Sequence, residues 1–296
     1  MATTPITRSQ SRLDLILVEA EDKVALNGLL WEPQKASDSL VVMVPGGTTG
    51  AALFPAHDYS PLASALTDNG YAFLLCNMRA SYNNSFAEYS DAVKDIAAFV
   101  AYAKSKGYAR IAILGISLGG ARMAQYVVER NDPAVKAVGF MASIPSPYLE
   151  FQVRSSEADK RRLEDTLRHA RELVAQGKGQ EPIGFENWFP GGLSIMGTAK
   201  WLISFFGAPN DPGTPSTIKY GPKIKVPAMV IHGDRDELAL PPNAQKIYDS
   251  LTASPQRDLI WVKGASHFLT TGPLAESYAR LTVDWLVRNF PVSPHR

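Results

Sequence analysis

The sequence predicts an α/β fold built on a mostly parallel sheet. Three observations carry that prediction. Apolar runs of strand length alternate with longer amphipathic stretches, the pattern of a sheet with helices packed against it. After the first two runs, the spacers are long enough for the helical crossovers that parallel strands require. The chain has 296 residues, 45% hydrophobic and 20% charged, which suits one large buried core.

Strands are expected at 13–19 (LDLILVE), 24–31, 39–44 (SLVVMV), 72–76 (AFLLC), 110–114 (RIAIL), 135–141 (VKAVGFM), 227–231 (PAMVI) and 258–262 (DLIWV). The first two are joined by the short polar link AED and so predict an antiparallel hairpin. Helices are expected at 60–69, 87–106, 118–130, 242–252 and 273–289. In the second of these, Val93, Ile96, Ala97, Val100 and Ala103 recur near helical spacing.

Between 144 and 225 the alternation breaks. A charged helix at 157–176 is followed by GKGQEPIGFENWFPGGLSIMG, the aromatic segment WLISFF and the Pro/Gly-rich GAPNDPGTPS. This is the composition of a lid or cap inserted between core segments 1–143 and 226–296, and such segments commonly carry specificity. Its aromatic residues make Trp188, Phe189 and Trp201 the candidate substrate-pocket residues.

Charge and cysteine content exclude several classes. With 30 basic and 29 acidic side chains the net charge is +1, and no basic run marks a nucleic-acid face. Lys160, Arg161 and Arg162 read as a solvated helix surface. Cys76 is the only cysteine, so neither an internal disulfide nor a cysteine metal site is expected. No histidine–carboxylate cluster has ligand spacing on one element, so no metal is expected. No stretch reaches the roughly 20 apolar residues of a membrane helix. The first residues lack the apolar run of a secretory signal, which makes the cytoplasm the expected location.

The chemistry centres on ILGISLGGAR, where Ser117 lies between Gly115 and Gly119. A lone G-x-S-x-G is weak, but here an apolar strand precedes the serine and a helix follows it at once. That junction forces a tight elbow and sets the hydroxyl near a helix N-terminus, where negative charge is stabilised. A serine hydroxyl needs a base. His169 lies mid-helix, His295 in the tail, His57 after the first glycine loop, and His232 at a strand end where packing suffices to explain it. His267, in WVKGASHFL, falls in the loop after the last strand. An acid to orient its ring is offered by VIHGDRDEL as Asp234, Asp236 or Glu237. Nucleophile, acid and histidine then all follow strands at the carboxyl edge of the sheet, where such folds place their sites. The glycine-rich loop of VVMVPGGTTG supplies amides for an oxyanion. The best pair is the backbone N–H of Thr48 with that of Leu118, with Gly47 as the alternative to Thr48. Arg79, after the fourth strand, reads as a loop anchor.

These motifs together (GISLG, PGGTTG, HGDRDEL and GASHF) resemble the α/β-hydrolase-fold serine hydrolases over nearly the whole chain outside 144–225. The resemblance implies an eight-stranded sheet flanked by helices, its second strand antiparallel, with a lid inserted after strand six. It maps the acid to Asp236 and the histidine to His267, and it implies cofactor-free acyl chemistry. One departure is Gly46, where many members carry histidine before the loop glycine. The expected partner is a small-molecule ester or related acyl substrate. The expected activity is carboxylic ester or lactone hydrolysis through Ser117, His267 and Asp236. C–C bond hydrolysis and acyl transfer use the same triad, and a non-catalytic binding protein could retain it.

Overall fold

In the computed structural model the described residues are 11–35, 37–47, 58–80, 87–189, 193–211 and 213–293, with only the backbone described at 187–189 and 193. Eight strands form one sheet: β1 (Arg12–Glu19), β2 (Ala25–Glu32), β3 (Ser39–Val44), β4 (Ala72–Asn77), β5 (Arg110–Ile116), β6 (Val135–Met141), β9 (Ala228–Gly233) and β10 (Arg257–Val262). Their spatial order is β1-β2-β4-β3-β5-β6-β9-β10. β2 runs antiparallel to both of its neighbours, and every other pairing is parallel. All eight expected strands are present, displaced at their ends by no more than a residue or two.

The central strands are apolar throughout because both faces are covered. Every residue of β3 is buried, and its side chains alternate between the two faces of the sheet. Leu40, Val42 and Val44 join one core with Leu74, Ile113 and Phe99. Val41 and Met43 join the other with Leu75, Leu114 and Trp285. Helices α2 (Ala92–Ser105) and α3 (Leu118–Arg130) supply the first face; α1 (Ser60–Asp68) and the last helix, Ala275–Asn289, supply the second. Edge strand β1 buries Ile16 but leaves Leu13, Leu15 and Leu17 exposed.

Between β6 and β9 the chain forms α4 (Pro147–Arg154), α5 (Glu157–Ala175), the antiparallel pair β7 (Pro182–Phe189) and β8 (Leu193–Thr198), α6 (Ala199–Phe206) and the short α7 (Thr217–Tyr220). Then follow α8 (Pro242–Ser250) and α9 (Ala275–Asn289). Ser146, Ser156 and Thr198 cap α4, α5 and α6, each accepting an N–H from the first turn. The sequence predicts α5 but not the hairpin, α4, α6 or α7. The segment has its own apolar cluster of Phe151, Leu163, Phe185, Trp201 and Phe206, and it meets the rest of the fold through Tyr89, Leu118 and Ala239. No helix among the described residues is long and apolar enough to cross a membrane.

Candidate active site

β5 ends at Ile116 and α3 starts at Leu118, so Ser117 alone makes the turn. Its backbone takes φ 53° and ψ −122°, a left-handed conformation unfavourable for a residue with a Cβ. The turn is held because the Ser117 N–H donates to the Met141 carbonyl at 2.8 Å. Two glycines make the packing around it feasible. A Cβ on Gly119 would collide with the carbonyls of Val44 and Pro45, and one on Gly46 would lie 2.6 Å from the Ser117 Cβ. The loop after β3 therefore rests directly on the elbow.

His267 reaches the same point from the loop after β10. Its Nε2 lies 3.1 Å from the Ser117 Oγ, and its Nδ1 lies 2.9 and 3.1 Å from the two carboxylate oxygens of Asp236. A carboxylate only accepts, so Nδ1 carries the proton and Nε2 is left to accept from the serine hydroxyl. Asp236 is buried, and its Oδ1 also accepts the N–H groups of Leu238 and Ala239 at 2.8 and 2.7 Å. The three acidic residues of HGDRDEL thus have distinct places. Asp236 faces the imidazole, Asp234 accepts the Gly264 N–H at 2.6 Å, and Glu237 accepts the His267 N–H at 3.4 Å.

His232 is fully buried, and desolvation holds its pKa below the usual imidazole value. The neutral ring donates its Nε2–H to the Ala239 carbonyl at 2.7 Å, and the same nitrogen lies 3.4 Å from Asp236 Oδ2. His232 therefore also borders the acid, its Nε2 lying near the same Asp236 oxygen that His267 Nδ1 approaches at 2.9 Å. Sequence reasoning gave it a packing role; the signal that it also borders Asp236 was the four-residue spacing in HGDRD.

Of the oxyanion candidates, Leu118 opens α3 and Gly47 follows β3 with φ 59°. Thr48 lies outside the described residues, as do His57 and His295. Two further side chains hold this corner. Arg122 donates to the Pro45 carbonyl at 3.0 Å and the Gly47 carbonyl at 3.2 Å, and its guanidinium lies over the Tyr89 ring at 4.7 Å. The Tyr89 hydroxyl donates to the Leu118 carbonyl at 2.9 Å. Sequence reasoning missed both. The available signal was an arginine among the buried residues of α3, just over one turn beyond Ser117.

A family model described as the alpha/beta hydrolase family matches residues 41–281, most of the chain. The chain belongs to the alpha/beta hydrolase family. No curated protein matches its sequence. Among solved structures, it is similar to an esterase domain from Rhodothermus marinus at 16% identity, covering 94% of this chain and 98% of that one, with a TM-score of 0.63. It is also similar to an esterase of Pyrococcus furiosus at 18% identity, covering 97% and 95%, TM-score 0.65. A hypothetical protein of Pseudomonas aeruginosa aligns at 16% identity over 97% and 96%, TM-score 0.71. At these identities the likeness is one of fold.

The remaining candidates are placed as follows in this alpha/beta hydrolase. Trp201 is buried in α6, stacked on Phe205 at 4.9 Å, and borders a small cavity with Arg79, Tyr89, Asp95 and Arg122. Trp188 and Phe189 belong to β7, but their side chains lie outside the described residues. Arg79 is an anchor. It donates from Nε to Asp95 at 2.7 Å and pairs bidentately with Asp22 at 2.6 and 2.8 Å. No cluster of His, Cys, Asp and Glu among the described residues could hold a metal ion.

Proposed function

We propose that this alpha/beta hydrolase is a serine hydrolase that cleaves a carboxylic ester or lactone through Ser117, His267 and Asp236. The observation carrying the reading is the continuous chain of contacts Ser117 Oγ to His267 Nε2 at 3.1 Å and His267 Nδ1 to Asp236 at 2.9 Å. That is the reach needed for a base to take the hydroxyl proton while an acid orients the base.

In this reading Ser117 attacks the substrate carbonyl and its proton passes to His267 Nε2. The imidazolium is stabilised by Asp236. The tetrahedral oxyanion is held by the N–H groups of Leu118 and Thr48, with Gly47 as the alternative to Thr48. Each such donor contributes on the order of 10²- to 10³-fold in rate. Collapse expels the alkoxide, which leaves as an alcohol with the proton from His267. Water, activated by the same imidazole, then releases the acid. We assign 144–225 as a lid contributing Trp188, Phe189 and Trp201 to the pocket. The lid assignment is supported by its docking on Leu118 and Ala239, neighbours of Ser117 and Asp236.

The test is hydrolysis of a panel of short-chain and aromatic p-nitrophenyl esters by the wild type and Ser117→Ala. A loss of at least ~10³-fold in kcat in a folded variant is the expected result. A wild type that neither turns over any ester nor reacts with a fluorophosphonate would remove the nucleophile and leave a ligand-binding protein as the better description.

A further inference from the structure

Arg122 stands on α3 five residues beyond Ser117 and is almost entirely buried. A guanidinium in such a place has lost water that only well-aimed hydrogen bonds replace. Among the described residues its bonds run to no carboxylate. They run to two backbone carbonyls, Pro45 and Gly47, in the loop that rests on the elbow. The face of its guanidinium is covered by Tyr89, which itself bonds to the Leu118 carbonyl. One side chain thus ties the loop after β3 to the helix that carries the nucleophile.

We propose that Arg122 is a positioning residue that sets the direction of the oxyanion-loop amide. The proposal rests on the serine-hydrolase reading above. A peptide unit is planar and trans, so its C=O and the following N–H point in opposite directions. Fixing the Pro45 and Gly47 carbonyls on Arg122 therefore restrains the peptide units on either side of the Gly46–Gly47 peptide, and with them the Gly47 N–H. The fork of the guanidinium also holds Pro45, so the loop is restrained on both sides of Gly46. The restraint is needed because two consecutive glycines make this loop permissive, and Gly47 already sits at φ 59°. An oxyanion donor acts only if it is in place before the charge develops. Lysine would supply a point charge without the fork.

The experiment compares wild type, Ser117→Ala, Arg122→Ala and Arg122→Lys on a short-chain p-nitrophenyl ester. If ester turnover is slow, the rate of fluorophosphonate labelling takes the place of kcat. Arg122→Ala is expected to lose ~100-fold in kcat with KM within about twofold, because the donor matters in the transition state. Arg122→Lys should lose roughly 10-fold. Guanidinium ion at millimolar concentration should restore part of the activity of Arg122→Ala but not of Ser117→Ala, an effect that a purely structural role would not produce. A cooperative melt shows that the variants are folded. If Arg122→Ala does not fold, Arg122→Lys decides, and a wild-type kcat there overturns the proposal. So does an unchanged kcat in folded Arg122→Ala, or a rise in KM alone; either outcome leaves the nucleophile intact. A wild type that is neither active nor labelled overturns the serine-hydrolase reading, and this inference falls with it.

Discussion

Ser117 occupies a backbone conformation that costs an L-residue about 1–2 kcal/mol, and it is held there by the strand before it and the helix after it. Glycine would occupy the same conformation without that cost. Ser117→Gly and Ser117→Ala should therefore be equally inactive, yet the glycine variant should be the more stable by ~1 kcal/mol, a few degrees in Tm. Equal melting temperatures would mean that the elbow carries no strain. The residues of the candidate triad were legible in the sequence because each lies directly after an apolar strand, and local motif and sheet edge pointed to the same place. Choosing Asp236 over Asp234 needed the family resemblance, since both follow β9 within a few residues. Arg122 and Tyr89 were not legible. Their partners are distant in sequence, and one buried arginine on a helix has no periodic signature that says what it bonds.

At the scale of elements, the eight sheet strands were readable because β3, β4 and β9 are buried on both faces and so appear as unbroken apolar runs. The hairpin between β6 and β9 was not. Its strand β7 alternates over only a few residues, Ile183 and Phe185 buried while Gly184 and Glu186 are exposed, amid glycine and proline. What stabilises it is packing, not propensity: Phe185, Phe151 and Phe206 meet edge-on at 5.4–5.9 Å. Phe206→Ala is expected to cost about 3–5 kcal/mol. Because this cluster is separate from the two that cover the sheet, the loss should concentrate between β6 and β9. Hydrogen exchange should then speed up in β7, β8 and α6 well before β3 or β5. Uniform acceleration across the sheet would instead show that the segment and the core unfold as one unit.

For the molecule as a whole, several paired or buried titratable groups set how stability responds to acid, and their signs differ. Asp22 is held well below the usual carboxylate range by its hydrogen bonds from Arg79, so its contribution is present above the ordinary aspartate pKa and fades in strong acid. Burial pushes Asp95 and Glu150 upward, so the folded state holds those protons more tightly than the unfolded chain does, and stability declines as pH rises through the carboxylate range. His232 works in the near-neutral window. Burial lowers its pKa, so below about pH 6.5 the unfolded chain takes a proton that the folded chain refuses, and stability falls as pH falls. The ring faces the Asp236 carboxylate, the Ala239 carbonyl and the edge of Trp261, and the pull of Asp236 offsets only part of the burial. Glutamine carries an N–H donor on a flexible stem and does not titrate. His232→Gln should therefore lower Tm modestly at pH 8 but flatten the decline of Tm from pH 6.5 downward relative to the wild type. Parallel Tm–pH curves for the two proteins would show that His232 takes up its proton in the folded state as readily as in the unfolded one.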